Sequence, residues 1–419
     1  MLLFLGLTVP YNFPLTFPFV FLYFIVFLFN GFIFGSVTFR VNSGLILFYL
    51  CILSYFFGMV LNHGVIYQGN IPDLLNIVTM ILLPLILGTV NDDTFRRFVR
   101  IYHVLVVPLA LFVGVFSLHR LYLRMAAADY AALVSALDRG TNPYALGMLL
   151  GLYAAFVCFW ESKSAFLKTF SLLTVLVCLG AIGFSGSRRG WLILCGVAVY
   201  LIVKGVKRFL MRLVDSRVGL TVSKKKIWTV LCVSVMVAFL CWGAWSYTNK
   251  VVLGGISRLE KLEVRFKSIF SGERSSADPF AERSEFWSFA GELIEDRTVL
   301  EILFGSGFQY LTSYGERFPG VKRESDPHNF MISAMLYSGL VGVFLMLALI
   351  SCAFFKLYKN RKTYGSEFFL VFLTTLFFWS VGGNSLFSVK ILPVVILTIL
   401  SVENGKHDET DLLFSGNRK

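Results

Sequence analysis

The sequence predicts an all-α polytopic membrane protein of 11 to 12 transmembrane helices with one large loop outside the membrane. Hydrophobic residues make up 57% of the 419 residues, and charged residues make up 15%. A soluble protein could not bury this much apolar surface in a core, so soluble classes are excluded. The apolar residues are also grouped into runs of about 20, the length of a helix that crosses a hydrocarbon core of about 30 Å.

Eleven apolar runs are long enough to form such helices. They cover residues 15–35, 42–62, 71–90, 98–118, 143–160, 165–184, 190–206, 227–246, 328–355, 366–382 and 386–402. A further apolar stretch, residues 2–9, is followed by Pro10 and Pro14, so residues 1–14 form either a twelfth helix or a bent hairpin. This stretch has no Lys or Arg and no small-residue cleavage site, so we expect it to be retained rather than removed as a signal peptide.

One segment, residues 247–327, mixes acids, bases, prolines and glycines as a water-exposed region does. We call it the polar loop. It divides the chain into N-terminal transmembrane helices (1–246), the polar loop, C-terminal transmembrane helices (328–402) and a tail (403–419).

The net charge of +13 lies partly in two short basic loops, residues 204–226 and 356–362. Short loops rich in Lys and Arg face the cytoplasm, so this charge sets topology and does not indicate nucleic-acid binding. Counting helices from these loops places the polar loop and the turn 185–189 on the outer side, and the tail in the cytoplasm. The basic outer segment 119–142 departs from this rule.

The sequence offers no evident ligands for a metal or a cofactor. Its seven cysteines all lie in predicted helices, and no two of them form a C-x-x-C pair. They are typical of small apolar residues in a membrane domain. We therefore predict neither a metal site nor a cofactor.

The turn 185–189 places Arg188 and Arg189 between two predicted helices on the outer side. Backbone N–H groups of a glycine/serine turn at a helix N-terminus, together with a guanidinium fork, can bind phosphate. The alternative is that both arginines extend to lipid headgroups beside Trp191. The residues alone leave both interpretations open.

The polar loop carries another arginine on a predicted helix. Asp278 and Pro279 are typical of a helix start, and Arg283 lies one turn before Trp287. The apolar face of this helix comprises Phe286, Ala290, Leu293 and Ile294. Taken alone, Arg283 is better explained as a solvated arginine paired with Glu282 or Glu285.

The end of the polar loop contains the remaining candidate site residues. A flexible turn is predicted at 304–307, and Tyr310 and Tyr314 offer flat rings on which sugars could stack. His328 and Asn329 then begin the next membrane helix at its outer end. A neutral histidine in this place can accept a proton as a general base, and the alternative is a capping or interfacial histidine. Asn329 is a further candidate glycan contact.

In chain order these features are a Ser-Arg turn, an Arg-x-x-x-Trp helix, a Gly-x-Gly turn, and Pro-His-Asn entering a helix with Gly339 and Gly342. Over about residues 143–355, this order resembles the O-antigen ligase and Wzy-type polymerase superfamily of bacterial inner-membrane glycosyltransferases. The resemblance implies an all-helical, GT-C-like fold whose large periplasmic loop forms part of the active site.

The resemblance also implies roles for three residues. Arg188 and Arg283 would bind the diphosphate of an undecaprenyl-linked glycan, and His328 would activate the acceptor hydroxyl. The doubled arginine leaves Arg189 as a second candidate for the role of Arg188.

The implied reaction is metal-independent transfer of a glycan from undecaprenyl diphosphate to lipid A-core at the periplasmic face, with inversion at the anomeric carbon. The sequence contains no Asp-x-Asp motif, so a metal-bound sugar nucleotide has no evident ligands. One alternative is a Wzy-type polymerase that joins undecaprenyl-diphosphate-linked repeat units of O-antigen or another surface polysaccharide. The other is a polysaccharide or solute transporter without chemistry, which predicts inverted repeats that the sequence does not show convincingly.

Overall fold

The computed structural model of the chain describes part of its length, and all regular secondary structure in that part is helical. The described residues are 25, 43–61, 81–82, 92–126, 141–185, 187, 189–198, 279–307, 310, 327, 329–380 and 391–401. Within these ranges the side chains of some residues, including Arg283, are not described. The all-α polytopic fold predicted from the sequence is confirmed.

We number the helices of the described residues in chain order. They are α1 (Ser43–Leu61), α2 (Asp92–Ala126), α3 (Thr141–Glu161), α4 (Ala165–Phe184), α5 (Arg189–Ala198), α6 (Pro279–Glu295), α7 (Val299–Phe304), α8 (Phe330–Lys359), α9 (Arg361–Ser380) and α10 (Ile391–Ser401).

Four segments of the described part are long and apolar enough to cross a membrane: Leu105–Leu123, Asn142–Glu161, Ala165–Phe184 and Phe330–Lys359. Helix α4 has the bounds predicted for its span. Helices α1, α3 and α8 differ from the predicted spans by a few residues at their ends. These agreements arise because a run of apolar residues in lipid must form a helix to satisfy its own backbone hydrogen bonds.

Helix α2 corrects the prediction for its region. The span predicted at 98–118 is the middle of a helix of 35 residues, which is about 50 Å long and exceeds a hydrocarbon core of about 30 Å. The basic residue Arg120, predicted in an outer loop, is therefore helical, and its guanidinium lies 6.0 Å from the centre of the Phe116 ring.

Several predictions fall outside the described residues. These are the spans at 15–35, 71–90 and 227–246 apart from residues 25 and 81–82, the twelfth helix at 1–14, the loop 204–226 and the tail 403–419. The polar loop is described only at 279–307, 310 and 327. The division of the chain into four regions stays a prediction.

Helix α3 forms the centre of the described bundle. Its residues 144–155 are all buried, and the helix packs against α2, α4 and α9. A Cβ on Gly151 would overlap Ala110 of α2, so the small residue lets the two backbones approach closely. Tyr153 joins α3 to α9 through a hydrogen bond of 2.7 Å to the Thr374 hydroxyl.

Helix α8 crosses the bundle from Asn329 to its last turn, where Lys356 and Lys359 lie. The Lys356 ammonium donates to the Leu400 carbonyl near the end of α10, at 2.6 Å. The two lysines therefore mark the end of the bundle that is opposite to Asn329.

Candidate functional site

The Ser-Arg turn leads into helix α5 and is hydrogen-bonded to the start of α3. The Ser187 hydroxyl oxygen accepts a hydrogen bond from the Gly190 N–H in the first turn of α5 at 3.2 Å, as capping side chains do. The same hydroxyl donates to Asn142 Oδ1 at 2.8 Å. A Cβ on Gly190 would lie 3.1 Å from Ala145, so the turn and α3 are in close contact.

Arg189 connects this turn to the end of helix α9. Its guanidinium donates to the Phe378 carbonyl at 3.0 Å. This carbonyl is among the last four of α9, which have no partner within a helix, and a cation near a helix C-terminus is favourable. One of the two arginines of the turn thus has a structural contact.

The start of helix α8 lies against the same end of α9. Asn329 is the N-cap of α8, and its Oδ1 accepts from the Met331 and Ile332 N–H groups at 3.0 and 3.3 Å. The Phe330 ring packs on Trp379, with 4.4 Å between the ring centres, and Trp379 is completely buried.

Helix α6 begins at Pro279, as predicted, and reaches the segment that precedes α8. Ala290 is completely buried, and the other predicted apolar positions of this helix pack against the core. The Trp287 indole N–H donates to the Pro327 carbonyl at 2.8 Å. Arg283 lies one turn before Trp287 on this helix.

The Ser-Arg turn, the Arg-x-x-x-Trp helix and the Pro-His-Asn segment therefore meet at one end of the bundle. Arg188 and His328 lie outside the described residues, and only the backbone of Arg283 is described. Residues next to Arg188 and close to His328 both contact the end of α9. The helix that carries Arg283 contacts Pro327, which precedes His328. The roles of these three side chains stay predictions.

A second contact between the polar loop and α8 lies at a break in that helix. Gly339 has φ 63° and ψ −164°, which interrupts the helical path. The Ser306 and Gly307 N–H groups donate to the Leu336 and Tyr337 carbonyls just before the break, at 3.0 and 2.9 Å. The Gly-x-Gly turn, predicted to be flexible, is instead held on the α8 backbone.

Three backbones come into contact at this break because three glycines lack side chains. A Cβ on Gly339 would overlap the Leu303 backbone, and a Cβ on Gly305 would overlap the backbone of α8 at Tyr337. A Cβ on Gly58 of α1 would overlap the Phe304 carbonyl. Gly305 also has a positive φ of 74°, which favours glycine.

Arg297, between α6 and α7, also donates to α8 at this break. Its Nη1 and Nη2 groups donate to the Met335 and Leu336 carbonyls at 3.2 and 3.0 Å. Burial lowers the pKa of Arg297 to about 10, and the opposing effects of Glu301 and Tyr310 do not restore its usual value. The guanidinium is charged at neutral pH.

Arg297 was not predicted from the sequence, because no motif there indicates a donor to α8. The capping box that follows it was a readable signal: Thr298 and Glu301 exchange hydrogen bonds at the start of α7. Burial raises the pKa of Glu301, but hydrogen bonds from Thr298 and Ser306 and the charge of Arg297 bring it below its usual value.

Two of the candidate glycan contacts have structural positions in the described residues. Tyr310 is 1% exposed, and its ring meets Tyr337 edge-on with 4.5 Å between the ring centres. Sugar stacking requires an accessible ring face, which this burial does not provide. Asn329 uses its Oδ1 to cap α8. Tyr314 lies outside the described residues.

Among the residues that the structure describes, no cluster of three or more His, Cys, Asp or Glu side chains could hold a metal ion. Residues 173–347 match the Wzy_C family model, which is described as O-antigen ligase. This range contains the Ser-Arg turn, α6, α7, the contacts of the polar loop with α8 near Gly339, and the first part of α8. No curated protein matches the chain. The resemblance to the O-antigen ligase and Wzy-type superfamily is confirmed.

Proposed function

We propose that this chain of the O-antigen ligase and Wzy-type superfamily is a glycosyltransferase that moves a glycan from undecaprenyl diphosphate to lipid A-core. The reaction is metal-independent and inverts the anomeric carbon. One observation carries the proposal: the three motif segments of the matched range meet at a single end of the bundle.

The proposed step is a direct displacement. The acceptor hydroxyl oxygen attacks the anomeric carbon and forms the new glycosidic bond. The bond from that carbon to the diphosphate oxygen breaks, and undecaprenyl diphosphate leaves with the electron pair. His328 takes the proton of the attacking hydroxyl as general base.

Arg188 and Arg283 stabilise the negative charge that develops on the leaving diphosphate. Fixed guanidinium groups in a site of low dielectric constant can do this without a metal. The contact of Arg189 with the end of α9 supports Arg188 as the phosphate ligand of the pair, because one guanidinium is already engaged.

The directions of α6 and α8 support the pairing of Arg283 with His328. Trp287 contacts Pro327, and further along both segments Arg297 contacts Met335. The two segments therefore run side by side in the same direction. Arg283 precedes Trp287 by one turn, about 6 Å, so it lies at the end of this pair where α8 begins.

The two lysines of α8 support a periplasmic site. Lys356 and Lys359 lie in the last turn of α8, and such basic helix ends face the cytoplasm. The opposite end of α8, where the motif segments meet, then faces the periplasm of a bacterial inner membrane.

The test is replacement of His328 by alanine. We expect transfer to be lost, while the protein remains in the membrane in its usual amount. Lipopolysaccharide from a deletion strain that carries the variant is analysed by gel electrophoresis, and the protein is measured by immunoblot. The matched control is His119→Ala, since His119 is an exposed histidine of α2. Full transfer by the His328→Ala protein would refute the proposed role.

The second candidate is a Wzy-type polymerase, because the matched family supports ligase-like and polymerase-like chemistry alike. The same gel distinguishes the two functions in the deletion strain. Bare core, with polymer retained on the lipid carrier, indicates a ligase. Core that carries a single repeat unit indicates a polymerase.

A further inference from the structure

We infer that Arg297 is a positioning residue for transfer: its guanidinium fixes the first half of α8, residues 330–338, against the segment that carries Arg283. This inference rests on the proposed function, since that half-helix follows directly after His328. Arg297 itself contacts only the α8 backbone in the hydrogen bonds described above.

The break at Gly339 creates the need for donors. A residue with φ 63° turns the chain out of the helical path, so the N–H groups that follow Gly339 are displaced from the carbonyls that they would reach four residues earlier. A carbonyl left unpaired in an apolar region is costly. Arg297 bonds the carbonyls of Met335 and Leu336, and the Gly-x-Gly turn bonds those of Leu336 and Tyr337.

Two separate contacts join the segment 279–297, which contains α6, to the segment 327–338, which contains the first half of α8. One is the hydrogen bond from Trp287 to Pro327, and the other is the pair from Arg297 to Met335 and Leu336. The two acceptor residues, Pro327 and Met335, are eight residues apart, which is roughly 12 Å at the rise of a helix. A single contact would allow the half-helix to pivot, whereas two contacts set its orientation. The segment before Phe330 then has a defined place relative to Arg283.

The contact suits arginine better than lysine. The planar guanidinium directs two N–H groups to two neighbouring carbonyls at once, and it stays protonated when it is buried. An ammonium could donate to one of these carbonyls or share itself between them. A methionine of similar length would fill the space and donate to neither.

The experiment compares Arg297→Met, Arg297→Lys and the wild type as purified full-length proteins in lipid vesicles. Their substrates are an undecaprenyl-diphosphate-linked glycan and lipid A-core, and kcat is expressed per folded, monodisperse molecule. We expect Arg297→Met to lower kcat by up to about 100-fold, because a displacement of about 1 Å can cost this much. The KM for the donor should change by much less. Arg297→Lys should lie between the other two.

A purely structural role gives a different result. It lowers the yield of folded protein and leaves kcat per folded molecule unchanged, and that outcome for both variants overturns the inference. A rise in donor KM with unchanged kcat also overturns it, since Arg297 would then act in binding. If the methionine variant does not fold, the kcat of the lysine variant decides between these outcomes.

Two further proteins separate this inference from the proposed function. Arg120→Met removes a half-buried guanidinium far along the chain on α2, and its kcat should equal that of the wild type. His328→Ala should be inactive in the same vesicles. An inactive His328→Ala protein beside fully active Arg297 variants refutes only the positioning role. A fully active His328→Ala protein refutes the proposed function itself.

Discussion

Gly339→Ala is the sharpest test of the broken helix. The backbone at Gly339, with φ 63° and ψ −164°, lies in a region that only glycine adopts readily, and a side chain there costs about 1–3 kcal/mol. The added Cβ also overlaps the Leu303 backbone, and forcing extra atoms into a packed site costs about 1–3 kcal/mol more. The sum, about 2–6 kcal/mol, is a large part of the stability of a typical domain, about 5–15 kcal/mol.

The matched control is Gly291→Ala in helix α6. A Cβ at Gly291 meets no atom within 4 Å, and Gly291 lies inside a helix. Alanine is the better helix former, so this variant should be more stable by about 0.5–1 kcal/mol. The same substitution is thus expected to have opposite effects at the two sites.

The assay measures the thermal unfolding midpoint of each purified protein in the same detergent. Unfolding is monitored by near-ultraviolet circular dichroism and by the fraction of protein that is still monodisperse after heating. Gly339→Ala should lower the midpoint by many degrees, and Gly291→Ala should raise it slightly. If both variants unfold at the wild-type temperature, the helix is continuous at Gly339 and the reasoning about its carbonyls fails.

Two further predictions concern the starts of α8 and α7. Asn329→Ser keeps an oxygen that can cap α8. Asn329→Ala loses it and should lower the free energy of unfolding by about 1 kcal/mol in the same assay. A stable Asn329→Ser protein that has lost transfer would show that the amide also contacts the glycan. The pKa of Glu301 is lowered in the folded protein. Its ionised carboxylate therefore contributes fully to the free energy of unfolding above the pKa of the unfolded state, and this contribution is lost as pH falls through the pKa of the folded state. The thermal unfolding midpoint of Glu301→Gln should therefore depend less on pH below about 4.5 than that of the wild type. If the two midpoints depend on pH in the same way, the hydrogen bonds of Glu301 are contradicted.

Several elements were predictable because the relevant signal is local. The bounds of α4 follow from hydropathy alone, and the start of α6 follows from Asp278 and Pro279. The order of the motif segments was also readable, and it led to the family that the match at residues 173–347 supports. The first two signals lie within a few turns of one helix, and each motif in that order is itself a short local segment.

Other features could not be predicted because their cause lies elsewhere in the chain. The apolar run predicted at 328–355 continues through Gly339, and a glycine inside a membrane helix does not by itself predict a break. Tyr310 looked like an exposed loop ring, but its burial depends on packing against Tyr337. The extra length of α2 lies in polar turns that hydropathy assigns to loops.

The amino-acid order by itself determined that the chain is a helical membrane protein, about where the apolar helices of the described residues lie, and which superfamily its motifs resemble. These properties are sums over neighbouring residues, and lipid leaves an apolar segment few alternatives to a helix. Only the tertiary structure decided that Arg189 contacts Phe378, that Trp287 contacts Pro327, and that Arg297 reaches the carbonyls before Gly339. These contacts join residues that are 38 to 189 positions apart, so their energies exist only after the helices have packed.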